Sequence, residues 1–250
     1  MLCQMSTPPP SLNTQHLLTS YYWSGDAIRS RNVSDVVISG MVAVPAPPAR
    51  LIADWDREIS LRLVLEPGDV ETLPLARARM RWPDYSRCVQ AVSDWTRELG
   101  LQDVFTASSI ALMACRGAKY HHDGEHYGGA AFCNLFLSED KGLDLHFPST
   151  GHRMPLTRGM VVIFDTGQPH AVIQRNSNSF KAADFPTELD CSQVFLTWEL
   201  PIENAFFSTT LQINFDTNPS TALLLNEEQV WLKSARGKVC SDSGEWLTPL

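Results

Sequence analysis

The chain has 250 residues, 44% of them hydrophobic, and 20 Lys and Arg against 28 Asp and Glu give a formal net charge of −8. That length and apolar content suit one sizeable domain with its own core. The acidic balance argues against a general nucleic-acid binder, no apolar run is long enough to cross a membrane, and no basic segment followed by an apolar one marks a secretory leader.

Residues 1–20 contain Ser6-Thr7-Pro8-Pro9-Pro10-Ser11 and predict a flexible proline-rich lead, with a single domain over 21–250. Asp35 to Val44 reads as one or two short strands broken at Gly40. Leu51, Ile52, Trp55, Ile59 and Leu63 recur at helical spacing, which predicts an amphipathic helix over Arg50 to Leu63. A second helix, Asp84 to Leu99, carries the stripe Cys88, Val92, Trp95, Leu99, with Asp84 as its cap and Gly100 as its stop. Beyond Gly100 the texture changes to short apolar runs separated by Gly, Pro, Asn, Asp and Ser: Phe105 to Arg116, Ala131 to Leu137, Leu143 to Phe147, Met160 to Phe164, His170 to Arg175 and Gln193 to Leu200. This is the pattern of an antiparallel β-sandwich or barrel, and helices first with strands after fit a jelly roll buttressed by N-terminal helices. Leu211 to Phe215 is a further candidate strand, and Asn226 to Ala235 reads as a short closing helix.

The six cysteines, Cys3, Cys88, Cys115, Cys133, Cys191 and Cys240, form no C-x-x-C pair. They predict a reducing, cytoplasmic setting and no structural zinc. Six of the seven histidines fall between His121 and His170. His121 and Asp123 stand two residues apart, a spacing that puts both side chains on one face of an extended strand. His170 follows the Gln168-Pro169 turn. Two imidazoles and a carboxylate on one side of a metal leave the opposite positions open, the facial triad of non-haem Fe(II) oxygenases.

The surroundings extend the pattern. Tyr120-His121-His122-Asp123 is followed by Asn134-Leu135-Phe136-Leu137-Ser138, then Arg158-Gly159-Met160-Val161-Val162-Ile163-Phe164, then Pro169-His170-Ala171-Val172, then Phe195-Leu196-Thr197-Trp198. Over residues 105–200 this succession resembles the catalytic core of the Fe(II)/2-oxoglutarate-dependent oxygenase superfamily, nearest its prolyl-hydroxylase-like branch. The resemblance implies a mainly β, cupin-like double-stranded β-helix. It implies that His121, Asp123 and His170 bind Fe(II), with 2-oxoglutarate and O2 as co-substrates, and that a ferryl species attacks a C–H bond with release of succinate and CO2. It places Asn134 and Thr197 on pocket-lining strands, where either hydrogen-bonds 2-oxoglutarate or substrate.

The resemblance also calls for a cation to meet the distal carboxylate of 2-oxoglutarate, since a guanidinium pairs with a carboxylate bidentately. Counted back from Trp198, that position falls near Ser192, where no cation stands. Arg175 is the first substitute and Lys181 the second, although alternation from His170 turns Arg175 to the opposite face; Arg158 and Arg116 are further basic residues of the β region. Asn176 to Cys191 looks like an insertion that either closes as a lid, with Asp184, Phe185 and Glu188 facing substrate, or is disordered. His122 is expected to point away from the metal, and Glu125 and His126 to lie in a loop beside it. The expected function is hydroxylation of a small molecule or amino acid, with no nucleic-acid or membrane partner. The alternatives are a cupin-like Fe(II) enzyme that does not use 2-oxoglutarate, a protein (prolyl) hydroxylase, or a binding module whose histidines are incidental.

Overall fold

The computed structural model describes residues 18–101, 104–105 and 108–247. The proline-rich lead lies outside these residues, except that Leu18 to Ser20 already belong to the first strand. In chain order come β1 (Leu18–Ser24), β2 (Ala27–Asn32), β3 (Val37–Met41), α1 (Ala49–Arg57), β4 (Val70–Leu73), α2 (Leu75–Arg81) and α3 (Tyr85–Glu98). The β-rich half follows: β5 (Ile110–Arg116), β6 (Ala118–His121), β7 (Ala130–Phe136), β8 (Leu143–Phe147), β9 (His152–Pro155), β10 (Met160–Asp165), β11 (His170–Gln174) and β12 (Ser192–Pro201). Short elements close the chain: α4 (Ala205–Thr210), α5 (Pro219–Ala222), β13 (Gln229–Leu232), β14 (Ala235–Arg236), β15 (Lys238–Val239) and β16 (Trp246–Leu247).

A six-stranded antiparallel sheet, β3-β10-β7-β12-β5-β4, faces a four-stranded one, β6-β11-β8-β9. Phe136, Phe164 and Phe195 from the first meet Leu145, Phe147 and Val172 from the second in one buried cluster. The fold is the double-stranded β-helix. Strict alternation makes it work. Along β12, Val194, Leu196, Trp198 and Leu200 join the cluster on the back of the large sheet, while Gln193, Phe195, Thr197 and Glu199 take the opposite, inward face. Trp55, Trp82 and Trp95, from the helical layer, cover that back surface. Gly40 shows how closely: a Cβ there would sit 2.5 Å from the Trp95 indole nitrogen.

Several expectations are corrected. β3 runs through Gly40 without a break, because the glycine admits Trp95 rather than turning the chain. The first helix gives way after Arg57 to a π-helical turn over Glu58–Leu63 and stops at Val64, which takes a left-handed φ of 47°. The Asp84 side chain makes no capping bond to the α3 backbone and instead meets Arg87 of its own first turn. Leu211 to Phe215 forms no strand beyond a single bridge from Phe215 to Arg31. The expected closing helix over Asn226 to Ala235 is the β13–β14 hairpin. Val230, Trp231 and Leu232 pair with β1, so tertiary pairing overrides a weak helical pattern.

β1, β2, β13 and β14 form a third sheet. It packs on the loop between β6 and β7, where a Cβ on Gly128 would meet the Tyr22 Cβ at 2.8 Å. The insertion is fastened down. Phe180 and Phe185 stack at 5.4 Å and are buried in the inter-sheet cluster, Gln174 donates to the Asp184 carbonyl, and Arg116 donates to the carbonyls of Phe185 and Pro186. Phe185 therefore faces the core, not a substrate, and Glu188 is exposed.

Candidate metal centre

His121 ends β6 and His170 begins β11, and the two are direct partners in the antiparallel register. Their rings lie 4.5 Å apart. Asp123 follows two residues after His121, with its oxygens 3.8 Å from His121 Nε2 and 3.5 Å from His170 Nε2. One ligand atom from each of the three lies within 4.8 Å of the others. Both rings are oriented in the same way. His121 Nδ1 meets the Lys119 carbonyl at 2.6 Å, and His170 Nδ1 meets the Gln168 carbonyl at 3.0 Å. With a proton on each Nδ1, each Nε2 offers its lone pair to a common point.

Electrostatics favour the same state. Burial, and then the adjacent His121, push His170 down to about 4, so its imidazole is neutral near pH 7. Phe164 and Phe147 supply the dry wall, their rings 4.7 and 6.0 Å from that of His170. The donor set fits Fe(II), which takes imidazole and carboxylate with open positions opposite.

Arg31 fixes the loops that carry these ligands. It holds Asp165, at the end of β10, through two hydrogen bonds, and its Nε donates to the Gly128 carbonyl at 2.9 Å. Asp165 also accepts from the backbone of Ser34 and Gly167. The Asp123 N–H donates to the Thr166 carbonyl at 2.7 Å, and the Thr166 hydroxyl donates to the carbonyls of Tyr127 and Ala130.

The other expected residues divide. Asn134 and Thr197 are register partners on β7 and β12, both inward, and Thr197 donates to the Asn134 side-chain carbonyl. Arg175 lies on the outward side of β11, where Asp140 and Asp144 hold it at 2.7 to 3.0 Å. Lys181 is exposed in the insertion. The structure therefore brings neither to the triad, and alternation from His170 is the reason for Arg175. Arg158 pairs with Glu139, and Arg116 is occupied by the insertion. His122 turns away to stack on Trp246 at 5.2 Å, and Glu125 pairs with Arg236 at 2.9 Å.

Because Trp198 faces the helices, the inward position at the start of β12 is Gln193, not Ser192. Gln193 is fully buried, and among the described residues neither end of its amide has a partner. Register places no Lys or Arg on the inward faces of β5, β7, β8, β10, β11 or β12. A distal carboxylate of 2-oxoglutarate would meet amide and hydroxyl groups on these faces, with no cation.

No protein-family model and no curated protein matches the chain. Among solved structures it is similar to a Pseudomonas putida prolyl-4-hydroxylase at 15% identity, covering 66% of this chain and 92% of that one with a TM-score of 0.37. It is similar to a viral collagen prolyl hydroxylase from Paramecium Bursaria Chlorella virus-1 at 9% identity, 66% and 89% coverage and a TM-score of 0.38. A non-heme alpha ketoglutarate dependent epimerase from nogalamycin biosynthesis shows 12% identity, 76% and 88% coverage and a TM-score of 0.35. The class of this chain is defined by its own strand order and triad: a double-stranded β-helix protein with a two-histidine, one-carboxylate cluster between its sheets.

Proposed function

We propose that this protein is an Fe(II)-dependent oxygenase that uses 2-oxoglutarate and O2 to hydroxylate a small molecule or amino acid. The observation that carries the reading is the convergence of His121 Nε2, Asp123 and His170 Nε2 on one point. Iron held there supplies the oxidising chemistry. The chain's own residues fix the two tautomers, exclude water with Phe147 and Phe164, and offer Asn134 and Thr197 as hydrogen-bonding groups on the inward face. Among the described residues no helix is long and apolar enough to cross a membrane. We take the substrate to be a small molecule rather than a nucleic acid.

A second reading, an Fe(II) enzyme of cupin type without 2-oxoglutarate, is favoured by the cation-free inward faces. Anaerobic titration of the Fe(II)-loaded protein with 2-oxoglutarate separates the two. A saturable visible charge-transfer band that disappears in Asp123→Ala supports the first reading. Bound iron with no band moves the second to the front.

A further inference from the structure

β12 ends its inward row at Glu199, directly across from Phe132 of β7. The Phe132 ring lies 5.1 Å from Tyr127 and 6.1 Å from Phe164, and Phe164 lies 4.7 Å from the His170 ring. Glu199 therefore stands on the inward face two aromatic rings, Phe132 and Phe164, away from His170. It is half-buried, and among the described residues its carboxylate has no ion pair and no hydrogen-bond donor. All twenty Lys and Arg of the chain lie within the described residues, and none of them pairs with it. The carboxylate is felt locally: after burial itself, Glu199 and Asp123 push the Tyr127 phenol upward. A partly desolvated carboxylate is costly unless a counter-charge meets it, and aromatic faces beside it attract cations.

We infer that Glu199, with the rings of Tyr127 and Phe132, is the recognition site for a positively charged group of the substrate, an ammonium or guanidinium. The inference rests on the iron-oxygenase reading of the same pocket and narrows its substrate class to basic small molecules. Arginine, lysine and their amine relatives are of this kind. Glu199 acts by holding the substrate's cationic end while another part of the molecule lies over the triad.

The test uses the full chain loaded with Co(II), whose visible absorbance reports the triad independently of substrate. L-Arginine against L-citrulline, and L-lysine against L-norleucine, are titrated by calorimetry. The expected result is that each cation binds about tenfold or more tightly than its neutral isostere, that Glu199→Gln removes the preference, and that Glu199→Lys reverses it. No preference for the cation in either pair, or a preference that survives Glu199→Gln, overturns the inference. Failure of the wild-type protein to take up Co(II) or Fe(II) would instead overturn the iron reading, and is seen in the absorbance before any ligand is added.

Discussion

Arg31 and Asp165 form a bidentate ion pair, at 2.5 and 2.9 Å, in which neither side chain reaches solvent. The pair joins β2, in the third sheet, to the turn that delivers His170, and through Gly128 it also holds the loop that carries Asp123. Removing one partner leaves a buried charge uncompensated, at a cost of about 3–5 kcal/mol. Arg31→Met is expected to lose that much stability in denaturant melts. Asp165→Asn keeps the shape and is expected to fold while binding Co(II) about 10–100-fold more weakly, the range for groups that orient metal ligands. The double variant should melt above Arg31→Met alone. A double variant no more stable than Arg31→Met would mean that the pair does not act as a unit.

The triad itself is tested by deletion. Asp123→Ala and His170→Ala are each expected to weaken Fe(II) or Co(II) binding by more than about 100-fold, beyond the effect of losing an orienting group. Lys181→Ala, in the exposed insertion, is expected to leave metal binding as it was. Equal metal affinity in all three variants would remove the metal centre from consideration.

Three buried or half-buried histidines predict acid sensitivity of the metal-free protein. Burial pushes His170 down to about 4 and lowers His122 and His146 as well. The unfolded chain takes up these protons near pH 6.5, where the folded one does not. Stability is therefore full above that pH and declines as the pH falls towards 4. His170 alone accounts for a loss of about 2 kcal/mol by about pH 5. Thermal melts across this window should show a steep decline that is shallower in His170→Asn. An unchanged slope would contradict the assignment.

The insertion is anchored by Phe185, so Phe185→Ala is expected to cost about 3–5 kcal/mol and to make residues 176–191 sensitive to limited proteolysis. A hinged lid would behave differently, with cleavage already rapid in the wild type and little loss of stability in the variant.

The residues that repeat and the three that cluster are readable in the sequence. Alternation along β12 and the period of Cys88, Val92 and Trp95 follow from burial on one face, and the order of His121, Asp123 and His170 locates the cluster. What escaped depends on contacts distant in sequence. Arg31 lies in a stretch with no chemical motif and gains its role only when β2 meets Asp165, 134 positions later. Glu199 sits beside Trp198, whose size draws attention to the wrong face. Alternation from Thr197, not from Trp198, puts Gln193 and Glu199 on the inward face. The β13–β14 hairpin was hidden because its partner β1 begins inside a stretch read as a flexible lead.

The Nδ1 contacts of His121 and His170 go to backbone carbonyls two residues earlier on the same segment, not to side chains. A carbonyl survives every substitution at its position. The aim of the two rings is thus robust to point mutation, whereas the loop that carries Asp123 is held through Gly128 by the distant Arg31–Asp165 pair. Substitutions of the side chains around the histidines leave these two carbonyl contacts in place.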